Sequence, residues 1–459
     1  MDASTIILGF TGSIASGCTF ISSTIPLVAD SKYEYFKLSE IIREVLKSEG
    51  NNNPTVEDLQ NKGNQLRREN VTGYLVKALI EKIKKNPKFN DADGIIIDGI
   101  KNESELNTLR QFPYFFLFSV HSDFKTRCER YLADGKFPDK NSFNVADERD
   151  RLEKDDVFGQ QVKKCNYLSD IIILNNSKFA SVDTQGKKTF VTNIYNKYVK
   201  TIEDLRDKGR PSAVVSPTID ELCMTTAYSL SRMSSCLKRK VGAIVIDSIS
   251  SKNKNPGEKG QINSLPVIIS SGYNEVPIGS YKCVFHPEFE MCYRDFLQEA
   301  HAQKINNCPK CGTELKINIK CPYCEKIYNK FKKYCSTHQM EIEDNFKCSK
   351  CGSRVFKEYL PGGKETPGKL LDMCRALHAE ENAILNLLKS GNQSNGNLTL
   401  YVTTQPCNLC ANKIVSAGIK NVVFDEPYPI KEATEILKSG QVNVKRFEGV
   451  KSSAYFRLY

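Results

Sequence analysis

Two short blocks constrain this 459-residue chain more than anything else in it. The first, Cys374 to Ala383, reads Cys-Arg-Ala-Leu-His-Ala-Glu-Glu-Asn-Ala. The second, Thr403 to Cys410, reads Thr-Thr-Gln-Pro-Cys-Asn-Leu-Cys. Residues 379–389 combine helix formers with apolar residues at helical spacing, which places His378 at the mouth of a helix and Glu380 in its first turn. Residues 398–403 alternate and are rich in β-formers, so they read as a strand. Pro406 suits the first turn of the next helix, and Cys407 and Cys410 stand three apart on one face of it. One imidazole and two thiolates balance the charge of Zn²⁺, and three protein ligands leave a fourth position for water. Such a metal lowers the pKa of that water to roughly 7. Glu380 stands beside the metal without ligating it, placed to carry protons. The alternative is a closed structural site with a fourth protein ligand, which would give Glu380 no task.

The length suggests two or three domains. No apolar run reaches the length needed to cross a bilayer, and the opening MDASTIILGF lacks the basic start and long apolar stretch of a secretory leader. A cytoplasmic protein is expected, without a membrane partner. In that compartment the 17 cysteines, many in C-x-x-C pairs, read as metal ligands rather than disulfides. The net charge of +11 fits an anionic ligand, a nucleotide or RNA, and equally a solvated basic surface.

Residues 5–10 read as a buried strand followed by Gly12-Ser-Ile-Ala-Ser-Gly17-Cys18-Thr19. This is the G-x4-G frame of a P-loop with Cys18 in the lysine position. Backbone N–H groups and the next helix start can still hold phosphate there, but the cation that reaches the outer phosphates is missing. Downstream, the apolar run 94–99 ends in Asp98, a suitable magnesium-side carboxylate. Arg127 and Arg130 lie on a helix after strand 114–120, and 159–175 reads as a helix and another strand. Strands alternating with helices indicate a parallel sheet. Residues 1–200 resemble the nucleoside-monophosphate kinase branch of the P-loop fold, departing from it at Cys18. The resemblance implies nucleotide or phosphate binding at Gly12, Gly17, Cys18, Thr19 and Asp98, in a fold that no longer transfers phosphate. Residues 201–217, with charges, Gly209, Pro211 and Pro217, read as a linker.

The remainder, 218–459, opens with a helix over 219–234 and continues through Cys236-x3-Lys240-Val-Gly-Ala into a strand. A polar loop over 248–264 precedes a second strand, 267–271, which ends in Gly272-Tyr-Asn274-x-x-Pro277. Helix, strand, strand, Gly-Tyr-Asn, His-Ala-Glu and Pro-Cys-x-x-Cys, in that order, are similar to deoxycytidylate deaminases, a branch of the zinc nucleobase deaminases. Joined to a P-loop half, the chain resembles the two-domain bacterial antiphage deoxycytidylate deaminases. The resemblance implies an α/β fold, with a kinase-like parallel-sheet domain followed by a deaminase-like α/β/α domain. It implies hydrolysis of dCMP, dCTP or both to the deoxyuridine nucleotide and ammonia, with defence by nucleotide depletion and a homo-oligomer. Glu380 becomes the proton carrier, and Asn274, Ala379 and Thr404 become substrate contacts. The alternative for Asn274 is a simple turn residue.

About 100 residues separate Pro277 from His378, more than a deaminase core needs. They are expected to carry a zinc-ribbon insertion over 300–360. Cys308, Cys311, Cys321 and Cys324 recur 27 residues later as Cys335, His338, Cys348 and Cys351. Each set can close a tetrahedral structural zinc, paired in series or nested. The surrounding lysines suit RNA or a solvated face. Cys236, Cys283, Cys292 and Cys374, with His286 nearby, are candidates for a third structural site, comparable to one in several deoxycytidylate deaminases; buried free cysteines are the competing reading. One catalytic and two or more structural zinc ions are therefore expected, and a regulatory nucleotide or small RNA is a candidate partner. Two rivals remain: a deaminase acting on a base within RNA or DNA, and a metal-stabilised regulatory binding protein.

The last segment reads as a strand over 421–425 and a helix over 430–439. Its final aromatics are expected to pack on a neighbouring subunit.

Overall fold

The computed structural model describes residues 4–85, 89, 91–133, 139–153, 156–177, 184–208, 216–247, 267–285, 291–295, 374–391, 397–428 and 431–459, with four dipeptide strands between 319 and 341. The strands in chain order are β1 (Ile6–Gly12), β2 (Tyr33–Lys37), β3 (Gly94–Asp98), β4 (Phe115–His121), β5 (Ile171–Leu174), β6 (Gly242–Asp247) and β7 (Val267–Tyr273). The short strands are β8 (Ile319–Lys320), β9 (Ile327–Tyr328), β10 (Tyr334–Cys335) and β11 (Met340–Glu341). Then come β12 (Leu398–Thr404), β13 (Asn421–Glu426), β14 (Asn443–Arg446) and β15 (Gly449–Val450).

The first sheet has the order β15-β5-β4-β1-β3-β2, and β1 to β5 are parallel. Both of its faces are buried, as a parallel sheet requires. Along β1, Ile6, Leu8 and Phe10 enter one core with Ile21, Ile25 and Tyr195. Ile7 enters the other, with Leu38, Leu75 and Leu79. The β1 neighbours β3 and β4 leave on opposite sides, so the loop after β1 opens at the crevice where such sheets take ligands.

The second sheet has the order β14-β13-β12-β6-β7; β12 to β14 are parallel, and β6 is antiparallel to both neighbours. On one face, Val245, Leu400 and Val422 meet Ala383, Ile384 and Leu387 of the helix Ala379–Lys389, and Ala411 and Ile414 of the helix Asn408–Ser416. On the other face, the helix Ile219–Ser231 packs Cys223, Met224 and Ala227 against Ile244, Tyr401 and Val423, and also against Ile172 of the first sheet. The two units therefore share a core.

The chain's last turn strengthens that union. β15 adds antiparallel to β5, and the helix Ser452–Leu458 puts Ala454 and Leu458 into the first unit's core. Buried Glu221 accepts hydrogen bonds from the Val450 N–H at 2.9 Å and the Tyr459 hydroxyl at 3.1 Å. Lys451 pairs with Asp425 at 3.1 Å, both nearly fully buried. The tail aromatics expected at a neighbouring subunit thus turn back: Tyr455 and Tyr459 meet edge to face beside Glu221, and only Phe456 faces solvent.

The expected linker begins later than 201. Helix continues through Lys200–Lys208, with Thr201, Ile202 and Glu203 buried, because Glu203 accepts from the hydroxyls of Tyr33 and Tyr195. Residues 209–215 and the polar loop lie outside the described residues. So do Cys308, Cys311, Cys321, Cys324, His338, Cys348 and Cys351. The backbone of Cys335 lies in β10, which pairs antiparallel with β11 as β8 does with β9. No described helix is long and apolar enough to cross a membrane.

His121 sits at the seam between units. Its Nε2 lies 3.2 Å from the Ser119 hydroxyl and 3.4 Å from an Arg446 nitrogen. Burial first, then Arg446, Lys451 and Arg127, hold its pKa well below 6.5. The unfolded chain binds this proton below about pH 6.5 and the folded chain does not, so stability falls as pH drops through that window. The melting-temperature gap between His121→Gln and the native chain should therefore shift toward the variant between pH 7 and pH 5. A gap independent of pH would show that His121 titrates alike in both states.

Candidate metal centre

Backbone ends bring the first site together. His378 is the N-cap of the helix Ala379–Lys389, as its sequence reads. Cys407 is the N-cap of the helix Asn408–Ser416. Pro406 therefore stands one residue outside that helix rather than in its first turn, and ends the strand-to-helix corner. His378, Cys407 and Cys410 place their ligand atoms within 4.8 Å of one another. Nδ1 of His378 lies 3.2 Å from Cys410 Sγ and 3.4 Å from Cys407 Sγ. Bonds of about 2.0–2.1 Å to nitrogen and 2.3 Å to sulfur, at tetrahedral angles, separate ligand atoms by about 3.5 Å, so the donor set fits zinc. Among the described residues no other His, Cys, Asp or Glu joins the group.

The electrostatics suit a metal as well. The hydrogen bond from Cys410 is the main force pulling Cys407 down to about 4, and the same bond, with burial, pushes Cys410 up. The lowered Cys407 favours the thiolate form that a metal takes. Hydrogen bonding to Cys407 raises His378 above its usual value. Glu380 is 4% exposed. Burial pushes its carboxyl up to about 7, against the opposing pull of His378 and a hydrogen bond from Cys410.

The two helices are pinned in register. Glu381 accepts from the His378 N–H at 3.4 Å and from Lys413 Nζ at 2.7 Å, tying one helix start to the other helix. Glu381 stands at the N3 position of the helix that His378 caps, whereas no motif joins it to Lys413, 32 residues away. Above them, β7 is laced to the Ala379–Lys389 helix. Asn382 donates to Tyr273 O at 2.8 Å, Asn386 donates to Ser271 O at 2.9 Å, and Ser270 donates to Ala383 O at 2.6 Å. Gly272 lies under this lacing, where a Cβ would meet Ala383 N at 2.4 Å and Ala379 O at 2.5 Å.

The other expected site residues fall into three groups. Ala379 is buried and is the first residue of its helix, so its N–H has no intrahelical partner. Thr404 is buried at the end of β12. The Asn274 side chain accepts from Val241 N–H at 2.7 Å and donates to Arg239 O at 2.9 Å, so both ends of its amide brace the turn before β6. Cys236, Cys283, Cys292 and Cys374 wall one cavity of about 20 Å³. No three of their sulfurs come within 4.8 Å of one another, so they converge without reaching ligand spacing. In the first unit, Asp98 accepts from Cys18 Sγ at 3.3 Å and Thr19 Oγ1 at 2.7 Å, and from Tyr35 OH at 3.0 Å, a partner the sequence did not suggest.

Residues 217–426 match the model of the cytidine and deoxycytidylate deaminase zinc-binding region. This segment belongs to that deaminase family. The deaminase segment holds both ligand-bearing helices, Glu380 and the lacing of β7. The chain is 22% identical to the deoxycytidylate deaminase of Saccharomyces cerevisiae over 348 residues, 75% of this chain and 78% of that one. It is 28% identical to the deoxycytidylate deaminase of enterobacteria phage T4 over 202 residues, 44% of this chain and 75% of that one. A UPF0200 protein of Methanococcus vannielii is 29% identical over 178 residues, 38% of this chain and 88% of that one, at the N-terminal, kinase-like region.

Proposed function

We infer that the chain is a zinc-dependent hydrolase that removes the 4-amino group of deoxycytidine 5′-monophosphate, giving deoxyuridine 5′-monophosphate and ammonia. One observation carries the reading. Three ligand atoms converge, no fourth joins them among the described residues, and a buried carboxyl that is not a ligand stands beside them. Relatives that are deoxycytidylate deaminases support the substrate class. Zinc held by His378, Cys407 and Cys410 supplies a Lewis acid that makes water nucleophilic near neutral pH.

The chain's own residues manage the protons. Glu380, pushed up to about 7, sits where proton uptake and release are nearly balanced at neutral pH. It accepts one proton from water, delivers it to ring N3, and assists transfer to the departing amine, so that cytosine and water become uracil and ammonia. The free N–H of Ala379 and the strand end at Thr404 border the same helix starts and are the proposed ring contacts.

Ammonia release from a panel of free nucleotides tests the reading. dCMP should turn over without polymer, chelation should abolish the activity, and added zinc should restore it. Parallel dCTP and oligonucleotide arms read the finer specificity. Activity only on a base within RNA or DNA, or none with the metal restored, would overturn the reading.

A further inference from the structure

The two helices that carry the metal ligands rest on one face of the second sheet, and little sets their position relative to each other. Ala383, Ile384 and Leu387 of one and Ala411 and Ile414 of the other enter the same apolar core. Apolar burial is non-directional, so it holds both helices down without fixing how either is turned. The lacing from β7 reaches only the Ala379–Lys389 helix. Among the described residues, one hydrogen bond joins the helices apart from the contacts of the ligand trio. It runs from Lys413 Nζ to a Glu381 carboxylate oxygen at 2.7 Å, and it is also an ion pair.

The other oxygen of that carboxylate accepts the His378 N–H at 3.4 Å, in the capping box that opens the helix. Lys413 follows Cys410 by three residues, so the two share a face of their helix. One carboxylate therefore bonds both the backbone of the nitrogen ligand and a side chain set one turn beyond a sulfur ligand. Neither residue is itself a ligand. A charged ammonium has no lone pair to offer, and Glu381 does not join the converging trio. Nor does the pair serve stability: its side chains are 42% and 21% exposed, and pairs this open add little to folding. What it can do is hold geometry. Metal ligands must stay within about 0.5 Å of their working places. Successive residues turn by about 100° around a helix. Holding Glu381 toward Lys413 therefore also fixes where its neighbour Glu380 points, which is toward Cys410.

We propose that Lys413 and Glu381 are positioning residues for the metal centre. The pair straps the helix of the two sulfur ligands to the start of the helix of the nitrogen ligand, and it keeps Glu380 aimed at the metal. Without the strap the helices still fold and pack, but His378 and the two sulfurs lose their common spacing, and Glu380 loses its bearing. The inference rests on the zinc hydrolase reading above and deepens it. It gives a task to two side chains outside the ligand trio, one on each ligand-bearing helix.

Zinc affinity of the full chain, read by competition with a chromophoric chelator and without substrate, tests the strap. Lys413→Met keeps the reach of the side chain without its charge. It should weaken zinc binding about 10–100-fold, as losing a residue that orients a metal ligand usually does. Lys413→Arg should recover most of that loss. Glu381→Gln keeps an acceptor for the His378 N–H and loses the ion pair, so it should match Lys413→Met. The double variant should be no weaker than either single. Lys445→Met, which breaks a comparable ion pair with Asp220 at 2.8 Å outside the ligand helices, should bind zinc as the native chain does. Melting temperatures without zinc should match the native chain throughout. With zinc saturating, kcat for dCMP should fall about tenfold in Lys413→Met while KM is unchanged. The proposal is overturned if Lys413→Met binds zinc like the native chain, or if Lys413→Arg is as weak as Lys413→Met. It is also overturned if the two single losses multiply in the double variant, or if KM alone rises, which would make Lys413 a substrate contact. The zinc measurement needs no substrate, so a chain that holds zinc but turns over no dCMP fails the functional reading alone.

Discussion

Glu380→Gln should lower kcat for ammonia release by about 10²–10⁴-fold, the usual worth of a positioned acid–base group, while zinc content stays unchanged. The amide matches the carboxyl in size, so packing in this buried pocket is kept. It cannot accept a proton from water, and that is the one capacity the reaction needs from this position. Glu380 also lies outside the ligand trio, so elemental analysis should find the metal in place. His378→Ala is the contrasting change. It removes the only nitrogen of the trio and should lose metal and turnover together. Undiminished activity in Glu380→Gln would remove Glu380 from the mechanism altogether, whatever the metal does.

Gly272→Ala should destabilise the chain by about 1–3 kcal/mol, a typical cost of overpacking, and weaken its hold on zinc. The new methyl meets Ala383 N and Ala379 O at 2.4 and 2.5 Å, and both are backbone atoms of a helix. A flexible side chain could swing aside, but a helix can only shift as a body. His378 caps it and Glu380 lies in its first turn, so relief at Gly272 is a displacement at the metal ligand His378. Thermal melts with and without added zinc separate the two effects. The deficit should be larger with zinc present, because the native chain gains more from the metal. An unchanged melt in both conditions would mean that β7 does not set the position of this helix.

Chemistry was far more legible in this sequence than assembly. The helix Ala379–Lys389 and the strands β3, β12 and β13 appear nearly where their residue patterns place them, because each is a contiguous run whose period reports its own burial. The ligand trio was equally visible, since capping positions put residues distant in sequence at neighbouring helix starts. What escaped reading was decided by partners distant in sequence. β15 is two residues long and carries no pattern; it is a strand because β5 offers a free edge and Glu221 takes the Val450 N–H. β2 reads Tyr-Glu-Tyr-Phe-Lys, polar enough for a loop. It forms because Asp98 and Glu203 receive its tyrosine hydroxyls. The Asn274 amide shows the converse limit. A motif residue can be recognised while its side chain serves the backbone beside it.

The return of β15 to the first sheet bears on how the protein is made. β5 leaves the ribosome some 275 residues before Val450 and waits for it with an open edge throughout synthesis of the second unit. Neither half is finished until both are. A chain truncated before residue 449 lacks this pairing and leaves the edge of β5 open, a row of unpaired backbone groups of the kind that templates aggregation.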